Sequence, residues 1–574
     1  MRTHRSDPRP PLPNRPPHRL RRRILTTVVA FTSVAVLGGA IGPAPLTSLA
    51  VTSTGTGAGT GVERTGSTSA GATTDSAGLP LAAAQRGPVV NPAPITAPGD
   101  RRPNIVLISS DDQRLDEMRF LPKTNKILGE AGITFTQAIT PHPLCCPARA
   151  EIMSGQYAQN NGVRTNFPPE GGYKAYDPDH TIGTWLSAAG YNTAFVGKPL
   201  NGYGKRDGVD PGWTLWDATT HGYADYYDFT QLTNGAGTTG PQGQMEDIEG
   251  YYTDYLNRAG VDYLHQLSGY DAPFFAWFSH FAPHSVRKPG ERGEDGHHPP
   301  ALSPKYRAAA ARGNAEFSQR AADYARSILD KPSFREKNIS DKPALLQRQE
   351  MSSKAKVRRF VEARAGALAS VDDAVAAYVD QLRRDGELDN TYIVFITDNG
   401  YLLGEHRRYG KILPYEETLR MPMLARGPGI AAGTRTNQVA TTIDLAATFL
   451  DLAGARADEP IDGVSIVPML HGKTNRNPHQ DGVLIQGGAV KSETGKTGWY
   501  YRGVRTDRYS YARYFDGIVE LYDLKRDPYQ LKSVAGKRRY AALQAELDRR
   551  TTVLSTCRGP EQCNRKFGDL PRVK

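Results

Sequence analysis

Short runs of mostly apolar residues recur along the chain and alternate with helical patterns. The runs cover residues 105–108, 193–196, 274–278 and 392–396. Runs of this length are typical of strands that are buried on both faces of a parallel sheet. Apolar residues at helical spacing precede Gly190 and Gly386, which predicts helices that end near these glycines. This alternation predicts an α/β domain with a mostly parallel sheet between helices.

The alternation breaks at residues 285–360, which are basic, are interrupted by prolines and carry His297 and His298. This segment is predicted to be a long insertion over one end of the sheet. Such an insertion either faces the substrate or is a solvated excursion, and the pattern leaves both interpretations open.

A second change of pattern follows a predicted helix at residues 443–453. Residues 500–514 alternate between aromatic and polar side chains, Asp516-Gly517 predicts a turn, and residues 518–524 resume as a strand. A closing helix at residues 540–554 completes the pattern. These elements predict a small C-terminal α+β domain with an antiparallel sheet.

The first hundred residues have the pattern of targeting and linking segments. Residues 1–50 contain Arg21-Arg22-Arg23 followed by an apolar stretch, which is typical of an export signal. A twin-arginine signal, an ordinary secretory signal and a retained anchor remain alternatives. Residues 51–100 are rich in Gly, Ser, Thr and Pro and predict a disordered spacer. We therefore expect a secreted or cell-surface protein with no stable membrane insertion beyond the leader.

The composition is that of a folded protein whose positive charge lies largely in the leader. The 574 residues are 39% hydrophobic and 23% charged, which excludes a disordered or collagen-like chain. Residues 1–50 carry eight arginines and one acid, whereas the whole chain has a formal charge of +11. Because the remaining chain has no concentrated basic and aromatic stripe, nucleic-acid binding is not expected. The predicted organisation is a leader (1–50), a spacer (51–100), a large α/β domain (101–455) and a small C-terminal domain (456–574).

Acidic and amide residues follow two of the predicted strands where each strand ends. Asp111-Asp112 follow the first apolar run, and Asp398-Asn399 follow the fourth. Because the carboxyl ends of parallel strands meet at one edge of a sheet, we expect these residues to converge. Their oxygen atoms suit a hard cation such as Ca²⁺ or Mg²⁺. The alternative is that the acids cap neighbouring helices.

Two adjacent cysteines begin a second candidate motif, Cys145-Cys146-Pro147-Ala148-Arg149. Pro147 fits a first helical turn and Gly155 fits a helix end, so Cys145 is expected at a helix N-terminus, where backbone N–H groups favour an anion. The two cysteines are candidates for chemistry or are small core residues. Cys557 and Cys563, in a polar tail, predict an ordinary disulfide loop.

These residues resemble the sulfatase family of the alkaline-phosphatase superfamily. Cys-x-Pro-x-Arg is similar to the family signature, whose first cysteine is converted to formylglycine. The resemblance extends from Pro103 to the C-terminal tail. It includes Gly197-Lys198, Pro283-His284, Thr397-Asp398-Asn399-Gly400, Gly410-Lys411, Arg426-Gly427-Pro428-Gly429 and Glu520-Leu521-Tyr522-Asp523. The segment from Gly197 to Gly204 is most similar to the N-acetylglucosamine-6-sulfatase and heparan 6-O-sulfatase branch.

The resemblance implies a mechanism and a set of site residues. It implies that Cys145 becomes formylglycine, through a formylglycine-generating enzyme, and that the hydrated aldehyde attacks the sulfur of a sulfate ester. The implied cation ligands are Asp111, Asp112, Asp398, Asn399 and the modified Cys145, with Ca²⁺ preferred over Mg²⁺. The implied catalytic residues are Cys145, Arg149 beside the diol, Lys198 and Lys411 on the sulfate, and His284 as the proton donor or acceptor. The implied substrate is a sulfated carbohydrate or an aryl sulfate.

The chain departs from the family pattern at two positions. Many sulfatases have a histidine two residues after the lysine of the Gly-Lys motif, whereas Leu200 stands there, which leaves His284 as the main imidazole. Ala148 replaces a common serine in the modification motif. Two alternative functions remain: a phosphonate monoester or phosphodiester hydrolase of the same superfamily, and a non-catalytic, cation-dependent protein that binds sulfated glycans.

Overall fold

The protein is described by a computed structural model. It describes residues 97, 99–220, 226–234, 242–286, 297–312, 315–473, 478–479, 481–491 and 497–573. These residues belong to one compact unit, residues 83–574. The predicted leader at residues 1–50 and nearly all of the predicted spacer lie outside the described residues.

The larger of the sheets has ten strands and a parallel centre. Its spatial order is β12-β2-β11-β8-β1-β7-β3-β4-β5-β6. These strands are β1 (Asn104–Ser110), β2 (Ile133–Ile139), β3 (Asn192–Gly197), β4 (Leu215–Thr219), β5 (Tyr227–Thr233), β6 (Gln244–Tyr251), β7 (Phe274–Ser279), β8 (Thr391–Thr397), β11 (Met423–Arg426) and β12 (Thr434–Thr441). The five neighbours β8, β1, β7, β3 and β4 are parallel, whereas β5, β6 and β11 run antiparallel to their neighbours. The prediction of a mostly parallel sheet is therefore confirmed, and the four predicted apolar runs are β1, β3, β7 and β8.

Helices cover both faces of this sheet. They are α1 (Pro122–Thr124), α2 (Cys145–Ser154), α3 (Ala158–Asn161), α4 (Ile182–Ala188), α5 (Tyr252–Ser268), α6 (Pro304–Ala311), α7 (Ala315–Leu329), α8 (Ala344–Gln347), α9 (Lys354–Arg384), α10 (Glu416–Leu419), α11 (Asp444–Ala453), α12 (Val467–Leu470), α13 (Ala541–Leu554) and α14 (Pro560–Cys563). Val106 and Ile108 of β1 pack in a core with α5 and α9, whereas Ile105 and Leu107 pack in a second core with α2, α4 and α11. Alternate side chains of one strand thus enter opposite cores, which explains its uninterrupted apolar run.

The predicted insertion at residues 285–360 is largely helical where the structure describes it. Its described part contains α6, α7, α8 and the beginning of α9. Phe317, Tyr324 and Ile328 of α7 are buried in the core that contains α9. The apolar face of α7 consists largely of alanine and aromatic residues, so its helical period was weak beside the neighbouring prolines and basic residues.

The C-terminal region contains a four-stranded antiparallel sheet. Its strands are β13 (Val483–Lys491), β14 (Thr497–Arg505), β15 (Tyr509–Tyr514) and β16 (Val519–Asp523), and a separate two-stranded ribbon contains β9 (Leu402–Leu403) and β10 (Tyr409–Gly410). Residues 500–514 therefore form parts of two strands, whereas the pattern suggested a single one. The turn at Asp516-Gly517 joins β15 and β16 as predicted, and Cys557 and Cys563 form the predicted disulfide.

The C-terminal sheet packs against both α13 and the large sheet. Leu484, Val504 and Leu521 contact the α13 residues Leu543 and Leu547. Side chains on the other face, including Val483, Ile485 and Tyr501, share a core with Ile139 of β2 and with Leu413. The C-terminal strands therefore contact the loop that carries Lys411. Among the helices of the described residues, none combines the length and apolar character needed to cross a membrane.

Candidate active site at the carboxyl ends of β1 and β8

Strand register brings the two acidic pairs together. β1 and β8 are parallel neighbours with Ser110 opposite Thr397, so the residues that follow them leave the sheet side by side. The backbone N–H of Asp112 donates to Asp398 Oδ1 at 3.1 Å, and Asn399 Nδ2 donates to Asp112 Oδ1 at 2.6 Å. Asp111, Asp112, Asp398 and Asn399 are all fully buried. The predicted convergence is confirmed.

Cys145 lies at the N-terminus of α2, as predicted. Leu144, the residue before the helix, is extended, and Gly155 ends the helix with a positive φ of 65°. The Cys145 thiol donates to Asp111 Oδ1 at 3.3 Å, and it accepts from Lys411 Nζ at 2.7 Å and from Lys198 Nζ at 3.5 Å. The helix therefore presents Cys145 to an acid and to two cations.

Arg149 lies one turn further along α2 and connects the two acidic pairs. Its Nε donates to Asp398 Oδ2 at 3.0 Å, and its Nη2 donates to Asp111 Oδ2 at 3.1 Å. Nη1 donates to the carbonyl of Lys198 at 2.6 Å and also to Ser279 Oγ. The planar guanidinium thus holds residues from β1, β3, β7 and β8 in one arrangement.

The two lysines and the histidine complete the cluster. Lys198 Nζ contacts Asp111 Oδ2, and Lys411 Nζ contacts Asp112 Oδ1. His284 Nε2 lies 3.5 Å from Asp112 Oδ2, while its Nδ1 is 2.6 Å from the carbonyl oxygen of Ser285. That second contact assigns the ring proton to Nδ1 and turns Nε2 toward the carboxylates. All nine predicted site residues are therefore brought together.

Burial and neighbouring charges raise the pKa values of some members of this cluster and lower the pKa of another. Burial and the charge of Asp111 raise the pKa of Asp398 to about 6. Although burial opposes the shift, the positive charges of Lys198, Arg149 and Lys411 hold the pKa of Asp111 well below its usual value. Burial and Asp111 raise the pKa of the Cys145 thiol well above its usual value. Asp111 is thus the carboxylate most firmly held in its charged form.

The donor atoms fit a hard divalent cation. Side-chain atoms of Asp111, Asp112, Cys145 and His284 lie within 4.8 Å of one another. Asp112 Oδ2 and Asn399 Oδ1 are buried and have no hydrogen-bond partner. Buried oxygens without partners are costly unless an ion or water satisfies them, and carboxylate and amide oxygens are ligands that Ca²⁺ and Mg²⁺ prefer.

The compact donor group overlaps in part with the predicted ligand set, of which it contains Asp111, Asp112 and Cys145. Both oxygens of Asp398 already accept hydrogen bonds, from Arg149, Asn399 and Asp112. His284, which was predicted only as a proton carrier, lies among the donors instead. Asp111, like Asp398, accepts hydrogen bonds at both oxygens, from Cys145, Arg149 and Lys198, so these bonds do not distinguish Asp398 from Asp111 as a cation ligand.

A cavity of about 430 Å³ opens onto this cluster. Lys198, His284 and Lys411 lie at its base, and Phe167 and Tyr500 line its walls. His297 and Leu345 also line it, so the insertion at residues 285–360 contributes directly to the pocket. Of the two interpretations of this insertion, the pocket supports the one in which it faces the substrate.

One supporting residue was missed by the sequence analysis. Arg364 of α9 is fully buried, donates to the carbonyl of Asp112 at 2.6 Å and pairs with Glu117 at 2.6 Å. It occupies an otherwise apolar position of the helix, beside Val361 and Leu368, and a charged residue at such a position was the available signal. Arg364 thereby fixes the backbone of Asp112, whose φ of 66° is unusual for a residue other than glycine.

Comparisons with known proteins agree with this site. The family model described as Sulfatase matches residues 103–455, and residues 404–556 match the model described as N-sulphoglucosamine sulphohydrolase, C-terminal. The chain is 31% identical over 511 residues to N-acetylglucosamine-6-sulfatase of Capra hircus, with 81% of this chain and 85% of that protein covered. The human N-acetylglucosamine-6-sulfatase is 30% identical over 511 residues, with 81% and 86% covered.

Solved structures share the fold. One is a protein in complex with its substrate D-glucosamine-2-N,6-O-disulfate, with a TM-score of 0.60, 24% identity, and coverage of 79% of this chain and 97% of that chain. A second is the phosphonate monoester hydrolase of Agrobacterium radiobacter, with a TM-score of 0.57, 21% identity, and coverage of 79% and 95%. This chain thus shares its fold with these two proteins. The chain belongs to the sulfatase family and is a sulfuric ester hydrolase.

Proposed function

We propose that this sulfatase is exported and removes sulfate from a glycosaminoglycan-type carbohydrate, with formylglycine at residue 145 and a bound Ca²⁺. The observation that carries the proposal is the position of Cys145, whose sulfur contacts Lys411, Lys198 and Asp111 at the base of an open cavity. A nucleophile at residue 145 would attack a sulfate ester next to Lys198 and Lys411, whose positive charges can stabilise the sulfuryl group as it is transferred.

The cation would be held by Asp111, Asp112, Asn399 and Asp398, with residue 145 beside them. When bound, it supplies positive charge that stabilises the negative oxygens of the reacting sulfuryl group. The modified residue supplies a hydroxyl nucleophile from its hydrated aldehyde. Ca²⁺ is preferred over Mg²⁺ because the buried, irregular set of oxygens suits the flexible coordination of the larger ion.

The remaining side chains bind and orient the reacting groups. Arg149 lies within one helical turn of residue 145 and holds Asp111 and Asp398 in place, so it orients the nucleophile and the acidic ligands together. Lys198 and Lys411 point at the same sulfur from two different loops, and this arrangement supports their binding of sulfate oxygens. His284, with its proton on Nδ1, leaves Nε2 to exchange a proton with the leaving oxygen.

Relatives support the substrate class. N-acetylglucosamine-6-sulfatases and the Drosophila melanogaster protein named extracellular sulfatase SULF-1 homolog are 30% to 32% identical to this chain. The arginine-rich leader and the extracellular relatives support export, and therefore a secreted or cell-surface location. Residues 101–455 are proposed as the catalytic domain and residues 456–574 as the small domain, with a formylglycine-generating enzyme as the maturation partner.

Mass spectrometry of the peptide that contains Cys145 and Cys146 tests this proposal, on protein made in its native host. Formylglycine at residue 145, together with sulfate release from N-acetylglucosamine 6-sulfate, supports it. Unmodified thiols with saturable binding of sulfated glycans would instead indicate the non-catalytic binding protein.

A second candidate activity, phosphonate monoester or phosphodiester hydrolysis, is favoured by the shared fold of the Agrobacterium radiobacter enzyme. Matched aryl sulfate, aryl phosphonate and aryl phosphodiester substrates separate the two activities. Higher kcat/KM for the sulfate supports the proposal, whereas higher kcat/KM for either phosphorus ester contradicts it.

A further inference from the structure

The guanidinium groups of two arginines lie over the ring of Trp499, next to the active-site cavity. The guanidinium carbon of Arg164 lies 4.9 Å from the centroid of the ring, and that of Arg502 lies 4.2 Å from it. Arg164 follows α3, whereas Trp499 and Arg502 belong to β14. Two separate parts of the chain thus build one cationic cluster, which we call the Trp499 cluster.

No carboxylate of the described residues neutralises this cluster. Neither Arg164 nor Arg502 forms an ion pair with a described residue, and Arg502 Nε is buried without a hydrogen-bond partner. Arg502 Nη1 donates to the carbonyl of Ser555 at 3.1 Å. Burial and the charges of Arg164 and Arg513 lower the pKa of Arg502 to about 10. Placing arginines together without an acid costs free energy, so the site favours an anion from outside the chain.

A neighbouring arginine shows the contrast. Arg513 lies opposite Arg502 in the β14–β15 register and is paired with Asp548 at 2.9 Å. Helix α13 thus provides a carboxylate for Arg513, whereas no described residue provides one for Arg502. Arg513 is therefore a matched control for the Trp499 cluster.

The Trp499 cluster borders the cavity that opens onto Cys145. Thr165, Asn166 and Phe167, which directly follow Arg164, line this cavity, and so does Tyr500, which directly follows Trp499. The ring centroid of His142, a residue three positions before Cys145, lies 6.1 Å from that of Trp499. The cluster therefore lies beside the same segment that presents the nucleophile.

We propose that Arg164 and Arg502 form a second anion site, which binds a carboxylate or sulfate on a sugar next to the one whose sulfate ester reacts at residue 145. The inference rests on the proposed function and specifies its substrate as an oligosaccharide with more than one negative charge. Planar guanidinium groups bind carboxylate and sulfate through paired hydrogen bonds, and stacking on Trp499 holds both groups in place.

The test compares kcat/KM for three 6-O-sulfated disaccharides. The first carries a uronate carboxylate, the second is its carboxyl-reduced form, and the third carries a second sulfate in place of the carboxylate. Sulfate release is measured by ion chromatography, with 4-nitrophenyl sulfate as a simple ester. The readout is the selectivity ratio, which is kcat/KM for each dianionic disaccharide divided by kcat/KM for the reduced one.

We expect a wild-type selectivity ratio of about 10 or more, since one charge-assisted contact of this kind corresponds to about a tenfold change. Arg164→Ala and Arg502→Ala are each expected to lower the ratio about fivefold or more, while Arg513→Ala, which removes a charge that Asp548 already pairs, is expected to change it less than about twofold. Added salt lowers the wild-type ratio toward that of the variants. Comparing the uronate with the disulfated substrate identifies the preferred anion. Thermal unfolding checks that each variant is folded. Arg164→Ala is expected to disturb the fold less than Arg502→Ala, because the Arg164 side chain makes no hydrogen bond to a described residue.

Two results would overturn the inference while leaving the proposed function intact. One is a wild-type ratio near 1 with rapid sulfate release, and the other is a ratio that both arginine variants retain. If the wild-type protein releases sulfate from none of the four esters, the proposed function itself fails, and the inference fails with it.

Discussion

Lys411 Nζ lies 2.7 Å from the sulfur of Cys145, although the two residues are 266 positions apart. Lys411 follows β10, whereas Cys145 begins α2, so no local element determines this contact. Three residues around Lys411 other than glycine have positive φ angles: His406 at 50°, Arg407 at 62° and Ile412 at 84°. The surrounding contacts must therefore hold this loop in a backbone conformation that its residues disfavour.

The first prediction concerns the two adjacent cysteines. Cys145→Ala is expected to lower kcat for sulfate release at least about a thousandfold, because it removes the proposed nucleophile. Its thermal unfolding is expected to stay close to that of the wild type.

Cys146→Ala is the matched control, because Cys146 is equally buried but its sulfur accepts from the N–H of Asn201 at 3.1 Å. It is expected to retain formylglycine and turnover while losing some stability. Equal loss of activity in both variants would argue against Cys145 as the nucleophile.

The second prediction concerns cation binding. Adding Ca²⁺ to protein treated with a chelator is expected to restore activity and to raise Tm, since a ligand that binds only the folded state stabilises it. The Asp112→Asn variant removes a charge from a carboxyl whose Oδ2 has no hydrogen-bond partner, so its Tm shift with Ca²⁺ should be much smaller. Differential scanning fluorimetry across a Ca²⁺ titration measures the Tm shift of the wild type and that of the variant. Asp373→Asn, which is remote and contacts Lys123 and Lys305, should respond like the wild type.

The third prediction separates the two site lysines. The Lys198 side chain is 2% exposed and that of Lys411 is 10% exposed at the cavity. Lys198→Met should therefore lower both activity and stability, the latter by about 3 kcal/mol, because it leaves the buried Asp111 with one cation fewer. Lys411→Met should lower kcat/KM with a smaller loss of stability.

Urea unfolding and steady-state kinetics measure the two effects. Lys305→Met, at an exposed ion pair, is the control and should change neither quantity measurably. A larger stability loss for Lys411→Met than for Lys198→Met would contradict the prediction that the more buried Lys198 contributes more to stability.

The fourth prediction concerns the pH dependence of stability. Burial raises the pKa of Asp217 on β4 from 3.8 to about 7, while Tyr255 donates to its Oδ2 at 2.7 Å. Because the folded state binds this proton more tightly than the unfolded state, stability contributed by Asp217 is greatest below about pH 4 and falls as the pH rises toward 7. The full shift corresponds to about 4 kcal/mol at most.

The Asp217→Asn variant removes this proton exchange. Its Tm should exceed that of the wild type at pH 8 and should approach it at pH 4 to 5. Asp247→Asn, at an exposed position of β6, is the control and should leave the pH profile unchanged. A wild-type profile that rises between pH 5 and 8 relative to Asp217→Asn would contradict the prediction.

The parts of the site that follow strands were predictable from the sequence. Asp111 and Asp398 follow uninterrupted apolar runs, and parallel strands place their carboxyl ends together whatever lies between them. Cys145 was predicted at a helix start because Pro147 and Gly155 mark the two ends of α2. These conclusions depend on periodicity and chain geometry alone.

The position of Lys411 was not predictable in this way. Its loop is held by tertiary contacts, such as the hydrogen bond of 2.7 Å between His406 Nδ1 and Glu336 Oε2 and the stacking of His406 on Tyr415. Glu336 lies in the insertion, which the composition described only as basic and interrupted by prolines. Only the resemblance to sulfatases assigned a role to Lys411, and the contacts that support its position involve residues that no local pattern connects.

The pairing of β1 with β8 has a consequence for how this chain tolerates change. Asp112 and Asp398 are 286 positions apart, yet their relative position depends on one strand pair and on Arg149 and Arg364. Segments between them can lengthen, shorten or be exchanged without moving the acids, provided that the strand pair and the two arginines remain. The pocket walls, supplied by loops such as the one that carries His297, can therefore diversify toward new sugars while the reaction centre stays constant.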